Sequence, residues 1–443
     1  MALSEAEFRE AKELLQALLR IDTSNPPGNE RPAAELLQSA LSQDDIPVRL
    51  VEPAPGRVNL VGRLQGDGSA LPLLLSSHLD TVPADPARWT HPPFAGIEQD
   101  GFLWGRGAID MKGFAIMALT VVRRLRRAGV RLKRDVIFAA VADEERECEF
   151  GSAYLVREHP DLVRAEYCIN EVGGFSFDLH GTRCYLIQIA ERGLARLRIR
   201  VSGQPGHGAK PCPDGSVARA AQVLDRLAHA RLPHHWNEPA RHFLEGMIRL
   251  SRPLEAAVLS GLRHPALGKL LLHHVVPPGE RRLALQTILS NTVNPTVIRA
   301  GEAINVVPSE VVIYVDGRIV PGSSAAELVA ETRALIGPDP IIELLHEEAP
   351  TAFSPDTPVF AEMKRLIQEK DPGSEVLPYP VFGATDSRNY AKLGTICYGF
   401  YPLPLPADLQ FSSLFHGDDE RIPVDGFRFG IEALEELVLR VAT

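Results

Sequence analysis

Residues 111–142, MKGFAIMALTVVRRLRRAGVRLKRDVIFAAVA, decide the fold. Apolar residues recur at helical spacing as far as the basic run that ends at Gly129, and the short apolar run DVIFAAVA that follows has the length of a buried strand. Downstream the pattern repeats, with GSAYLVREH helical and AEYCIN strand-like; upstream, LPLLLSS (71–77) is another apolar run of strand length. Strand and helix alternating in units of about thirty residues build βαβ repeats, hence a mostly parallel sheet covered by helices. The expected fold class is α/β.

The remaining chain fits around that core. Ser4 and Glu7 form a capping box before an amphipathic helix, and SNPPGNE (24–30) is a turn cluster. FAGIEQDGFLWGRG (94–107) reads as a hairpin turning on Asp100 and Gly101. Near Glu191 a fresh block begins, with strands LARLRIRVSG, NPTVIRAG and EVVIYVDGRI, two helices, and a less regular stretch rich in Pro, His and Leu up to about residue 285. The expected domains are 1–190, 191–348 as an insertion able to fold on its own, and 349–443 returning to the first.

At 443 residues the chain exceeds what one core comfortably serves. Its 45% hydrophobic and 23% charged residues are those of a globular protein. A formal net charge of −10 argues against a nucleic-acid partner; the run Arg123 to Gly129 is expected to be the solvated end of a helix. Five scattered cysteines, none in C-x-x-C spacing, suggest neither disulfides nor thiolate zinc, and fit a reducing cytoplasm. With no signal peptide and no apolar stretch of spanning length, a soluble cytoplasmic protein with no membrane partner is expected.

Ligands of parallel sheets bind beyond the carboxyl ends of the strands. There the sequence places His78 and Asp80 after LLLSS, Asp110 after FLWGRGAI, Glu144 and Glu145 after VIFAAVAD, and Glu171 after YCIN. Each alone is an ordinary helix cap or surface group. Together, carboxylates crowded at one rim repel one another unless a cation neutralises them. Oxygen and imidazole donors without thiolate suit a catalytic site for Zn2+, with Co2+ or Mn2+ as substitutes. Two ions fit the donor count: Asp110 bridging, His78 and Glu171 on one, Glu145 and a further histidine on the other. His416, in the polar loop sequence LFHGDDERIP, is the preferred second histidine over His273 and His274 of an apolar helical run.

In this order HLDTVP, GRGAIDMKG, ADEE, NEVGG, GHGAKP, GATDSRN and FHGDDERI resemble the co-catalytic zinc metallopeptidase family of aminoacylase, carboxypeptidase G, carboxypeptidase S and succinyl-diaminopimelate desuccinylase. The middle block looks most like the carboxypeptidase S and N-acyl-amino-acid hydrolase branch. The resemblance implies two Zn2+ per subunit on the same five ligands, with Asp80 orienting the imidazole of His78 and Glu144 as general base. It implies that the middle block is an α+β lid through which a homodimer forms, whose His207 and Asn294 polarise the scissile carbonyl from within the subunit or across a dimer. It implies that Arg388 receives the substrate carboxylate.

The expected function is hydrolysis of the amide bond of a dipeptide or N-acyl amino acid next to a free carboxylate. A dinuclear phosphoesterase, or a non-catalytic binding protein on the same frame, is the alternative; no phosphate-cradling Gly-rich loop accompanies the first, and no donor is missing as the second would predict.

Overall fold

The computed structural model describes residues 2–407, 409 and 411–443. They form two compact units, one of Met1–Ile189, Phe353–Pro378 and Thr385–Thr443, the other of Ala190–Ala352 and Tyr379–Ala384.

The first unit is built on a ten-stranded sheet that contains, side by side, Val48–Ala54, Arg57–Leu64, Val136–Val141, Leu73–His78, Tyr167–Asn170 and Ile396–Gly399. The last four are mutually parallel, and the two at the far edge run antiparallel. Leu73–His78 and Val136–Val141 are buried at every residue, so they read as continuous apolar runs instead of alternating ones. Leu73 lies opposite both Val136 and Tyr167, and this register brings the carboxyl ends of the three strands to one rim. Helix Lys112–Arg127 packs on these strands and against helices Glu5–Leu19 and Val424–Ala442. The first of these begins with the expected capping box of Ser4 and Glu7.

Two expectations need correction here. Arg123 and Arg124 are not a solvated helix end: both are buried, held by Glu10 and Asp44 and by Glu7 and Glu435. Buried cations on a core helix are tolerated only when paired, and the partners come from segments remote in sequence. The hairpin Ile97–Gln99/Phe102–Trp104 forms, with Asp100 at φ 52° and Gly101 at φ 77° matching the right-handed strand twist. Its second strand stops at Trp104, however, and belongs to a separate three-stranded sheet with Arg421–Pro423. Asp110 therefore sits in the turn before helix Lys112–Arg127, not at the end of a strand.

The second unit has an antiparallel sheet in the order Thr292–Ala300, Glu310–Ile319, Gly193–Ser202, Ile341–Glu348. Helices Ser216–Ala228 and Ala325–Ile336 cover it over a core that includes Leu197, Ile199, Ile313, Val315 and Leu328. The stretch expected to be irregular is helical, comprising Glu238–Leu250, Pro253–Gly261, Pro265–His274 and Glu280–Leu289 around a core of their own. The prolines that argued for irregularity stand in the first turns of the first three of these helices, where a missing N–H is harmless.

Candidate metal centre

His78 closes its strand with its side chain fully buried. Its Nδ1 lies 2.9 Å from the carbonyl oxygen of Asp80, which can only accept, so the ring proton is on Nδ1. Nε2 faces Asp110 Oδ1 at 3.0 Å and Glu171 Oε2 at 3.5 Å. On the opposite side Asp110 Oδ2 is 3.2 Å from Nε2 of His416, which lies 3.0 Å from Glu145 Oε2. Two three-residue clusters result, His78–Asp110–Glu171 and Asp110–Glu145–His416, sharing one carboxylate whose two oxygens face different imidazoles. Glu144, immediately before Glu145, belongs to neither.

The electrostatics require positive charge. Burial, with the nearby Asp110 carboxylate, pushes Glu145 up to about 7, and burial likewise pushes Glu171 up to about 8. Hydrogen bonds to Asp110 and Glu145 push His416 up to about 10. Burial would raise Asp110, yet the imidazoles of His416 and His78 hold its carboxyl well below the usual range. Glu145 Oε1 and Glu171 Oε1 are buried oxygens with no hydrogen-bond donor among the described residues. Imidazole nitrogens and carboxylate oxygens converging in two clusters around one shared carboxylate, with a bare glutamate oxygen on each side, make the ligand set of a cation site, and the residues present fit a divalent metal in each cluster.

The support lies in groups of quite different sequence position. Asp80 accepts the backbone N–H of Glu144 at 3.1 Å and of Glu145 at 3.2 Å, so the aspartate that fixes the His78 ring also sets the glutamate pair. Asn25 donates to both Asp80, at 2.8 Å, and Asp143, at 3.0 Å; Arg57 joins Asp143 to Glu30. Asp143, at φ 68°, makes the left-handed turn from which Glu144 and Glu145 leave. Glu420, fully buried, accepts the N–H groups of Gly107, Ile109 and Asp110 and the guanidinium of Arg106, whose other arm donates to Gly417 O. The loop of Asp110 and the segment of His416 are thereby fastened together. Sequence reading missed Asn25, Asp143 and Glu420. Asn25 was absorbed into a turn cluster; Glu420 carried a usable signal, as an acid four residues beyond His416.

Burial and the neighbouring Glu171 raise the Glu144 carboxyl well above its usual range. Arg388, on the short helix Ser387–Tyr390, points Nη2 at Cys148 Sγ, 3.3 Å away and four residues beyond Glu144. His207 and Asn294 both lie in the second unit, exposed, on strands Gly206–His207 and Thr292–Ala300. His207 Nδ1 accepts the N–H of Ala209 at 3.1 Å, which leaves the ring proton on Nε2.

The family model described as peptidase family M20/M25/M40 matches residues 74–440. Among curated proteins, the N-fatty-acyl-amino acid synthase/hydrolase PM20D1 of Xenopus tropicalis is 25% identical over 98% of this chain and 86% of its own length. Aminoacylase-1 of Sus scrofa is 26% identical over 97% and 95% respectively. Among solved structures, the M20 family metallo-carboxypeptidase Sso-CP2 of Sulfolobus solfataricus superposes with a TM-score of 0.71 at 17% identity, covering 97% of this chain and 98% of the other. The Bacillus subtilis YXEP protein, a dinuclear metal binding peptidase, gives 0.62 at 11% identity over 99% of both chains.

Proposed function

The chain belongs to peptidase family M20/M25/M40, and from that premise we propose that it hydrolyses the amide bond of an N-acyl amino acid or dipeptide beside a free carboxylate, with a pair of zinc ions as cofactor. The observation that carries this reading is the Asp110 carboxylate, with one oxygen on each imidazole and one further glutamate completing each cluster. His78, Asp110 and Glu171 would hold one ion; Asp110, Glu145 and His416 the other. Such ions, when bound, polarise a carbonyl and bring the pKa of water down to about 7. Cobalt or manganese would suit the same donors.

The chain's own groups supply the rest. Glu144 is uncommitted to either cluster, and its proton affinity is raised by burial, so it suits taking the proton of the attacking water and passing it to the leaving amine. Asp80 keeps the His78 ring in the tautomer that frees Nε2. Arg388 offers a planar fork to the substrate carboxylate. The Nε2–H of His207 and the amide of Asn294 are the donors assigned to the tetrahedral oxyanion. We also infer a homodimer through the second unit, whose edge strands expose Val297, Ile298, Leu344 and Leu345, and cytoplasmic residence, in keeping with five free cysteines.

The test is a panel of N-acyl amino acids and dipeptides alongside their methyl esters, with and without chelator. Cleavage of the free acids only, abolished by chelator and restored by zinc or cobalt, is the expected result. Turnover indifferent to chelator, or equal on the esters, would refute it. Light scattering of the intact protein decides the dimer.

A further inference from the structure

Helices Pro253–Gly261, Pro265–His274 and Glu280–Leu289 cover only one side of themselves. Leu259, Leu262, Leu272, Leu285 and Ile288 face their common core, whereas Leu254, Leu267, Leu270, Val275 and Leu283 are exposed, Leu254 by 81% and Leu283 by 62%. A helix apolar on all sides needs cover on all sides. Leu267 and Leu270, three apart, share a side of their helix. Arg281 pairs with Glu255, which sets the first turns of the other two helices side by side, and each of those turns carries an exposed leucine, Leu254 and Leu283.

The charge around these leucines is the reverse of the rest of the protein. In a chain of formal net charge −10, residues 249–289 carry Arg249, Arg252, Arg263, Lys269, Arg281 and Arg282 against Glu255 and Glu280. Arg252, Arg263 and Lys269 are exposed on the same helices or the turns between them. Exposed leucines with Lys and Arg on the same helices and the turns between them match a bilayer interface with anionic headgroups, where apolar side chains enter the acyl boundary and cations meet phosphates. A protein partner would be met better by aromatic anchors, of which the exposed side of these helices has none.

We propose that this helical cluster docks the protein peripherally on an anionic lipid surface. No helix among the described residues is long and apolar enough to cross a membrane, and the docking requires none: the helices lie along the surface. The expectation of no membrane partner rested on the lack of a spanning segment, which does not bear on attachment of this kind.

The test is co-sedimentation of the intact protein with vesicles of phosphatidylcholine alone or with about 30% phosphatidylglycerol. Recovery with the anionic vesicles should exceed that with neutral ones about fivefold, and should fall as salt shortens the screening length from about 10 Å toward about 3 Å. The triple variant Leu254→Ser, Leu267→Ser, Leu283→Ser, and separately Arg252→Glu with Arg263→Glu, should abolish the binding while circular dichroism and melting temperature stay as in the wild type, since every altered side chain is exposed. No recovery with anionic vesicles at low salt, or recovery unchanged in both variants, overturns the proposal. So does a dimer that the leucine variant dissociates in light scattering, which would assign the patch to a second copy. None of these readouts depends on hydrolysis.

Discussion

Glu144 and Glu145 are adjacent and hang from the same aspartate through their backbone N–H groups, yet Glu145 meets His416 while Glu144 belongs to neither candidate metal cluster among the described residues. Replacing Glu144 with Gln should therefore lower turnover by about 10²- to 10⁴-fold, the usual worth of a positioned acid–base group, while metal content by elemental analysis stays that of the wild type. Glu420 acts at one remove. Its two oxygens collect three backbone N–H groups from the Asp110 loop, and an amide in its place would turn a donor toward donors. Glu420→Gln should weaken metal retention about 10- to 100-fold, read as the chelator concentration at half activity, even though its carboxylate is not one of the six donor contacts.

Among the elements, the helix that follows Asp110 is held unusually close. A Cβ on Gly113 would lie 2.0 Å from Tyr401 Oη and 2.3 Å from Ala108 O. Gly113→Ala must push the start of the helix away from the turn that carries Asp110, and should cost about 2 kcal/mol or more in chemical denaturation and lower metal occupancy. In the second unit, helix Ala325–Ile336 is tied to the end of the helical cluster by Glu331, which accepts from His235 at 2.6 Å and from Asn291 at 3.0 Å. That hydrogen bond raises the His235 pKa above 6.5. Its contribution is complete below about pH 6.5 and is lost as pH rises through the raised value, so Glu331→Gln should lower the melting temperature more at about pH 6 than at about pH 8.

How far these elements were legible depends on the range of the interaction. The βαβ alternation, the Ser4 capping box and the Asp100–Gly101 turn are written in residues that touch near neighbours, and the structure has each. The gathering of His78, Glu145 and Glu171 was legible because each follows a strand of the parallel sheet, whose register brings such ends together; Asp110 and His416 sit in turns outside that register and were picked out by donor type and polar setting. Asn25 and Asp143 could not be read in this way, since their partners are fixed only by packing. The buried arginines at 123 and 124 misled for the same reason: the acids that neutralise them lie about 80 residues or more away along the chain, as with Asp44 and Arg123.

At the scale of the whole molecule, the crowding of carboxylates makes metal and proton rivals for the same oxygens. Glu145 and Glu171 carry protons near neutrality in the absence of metal, so added zinc must displace them, more easily as pH rises. The rise in melting temperature on adding zinc to chelator-stripped protein should be larger at about pH 8 than at about pH 6. An equal rise at both would mean that the ions bind elsewhere.

The clasp between the Asp110 loop and Glu420 spans 310 residues, and strand Ile396–Gly399 takes its place beside Tyr167–Asn170, a segment more than half the chain's length before it. A ribosome making this protein thus releases four of the five proposed metal ligands long before the last of them and the anchor that steadies the Asp110 loop have emerged. Until then the emerging acids must share protons or stay hydrated, so loading of the proposed centre should follow synthesis. A polypeptide halted before residue 416 would present a half-finished cation trap, which quality-control proteases should distinguish from the mature enzyme.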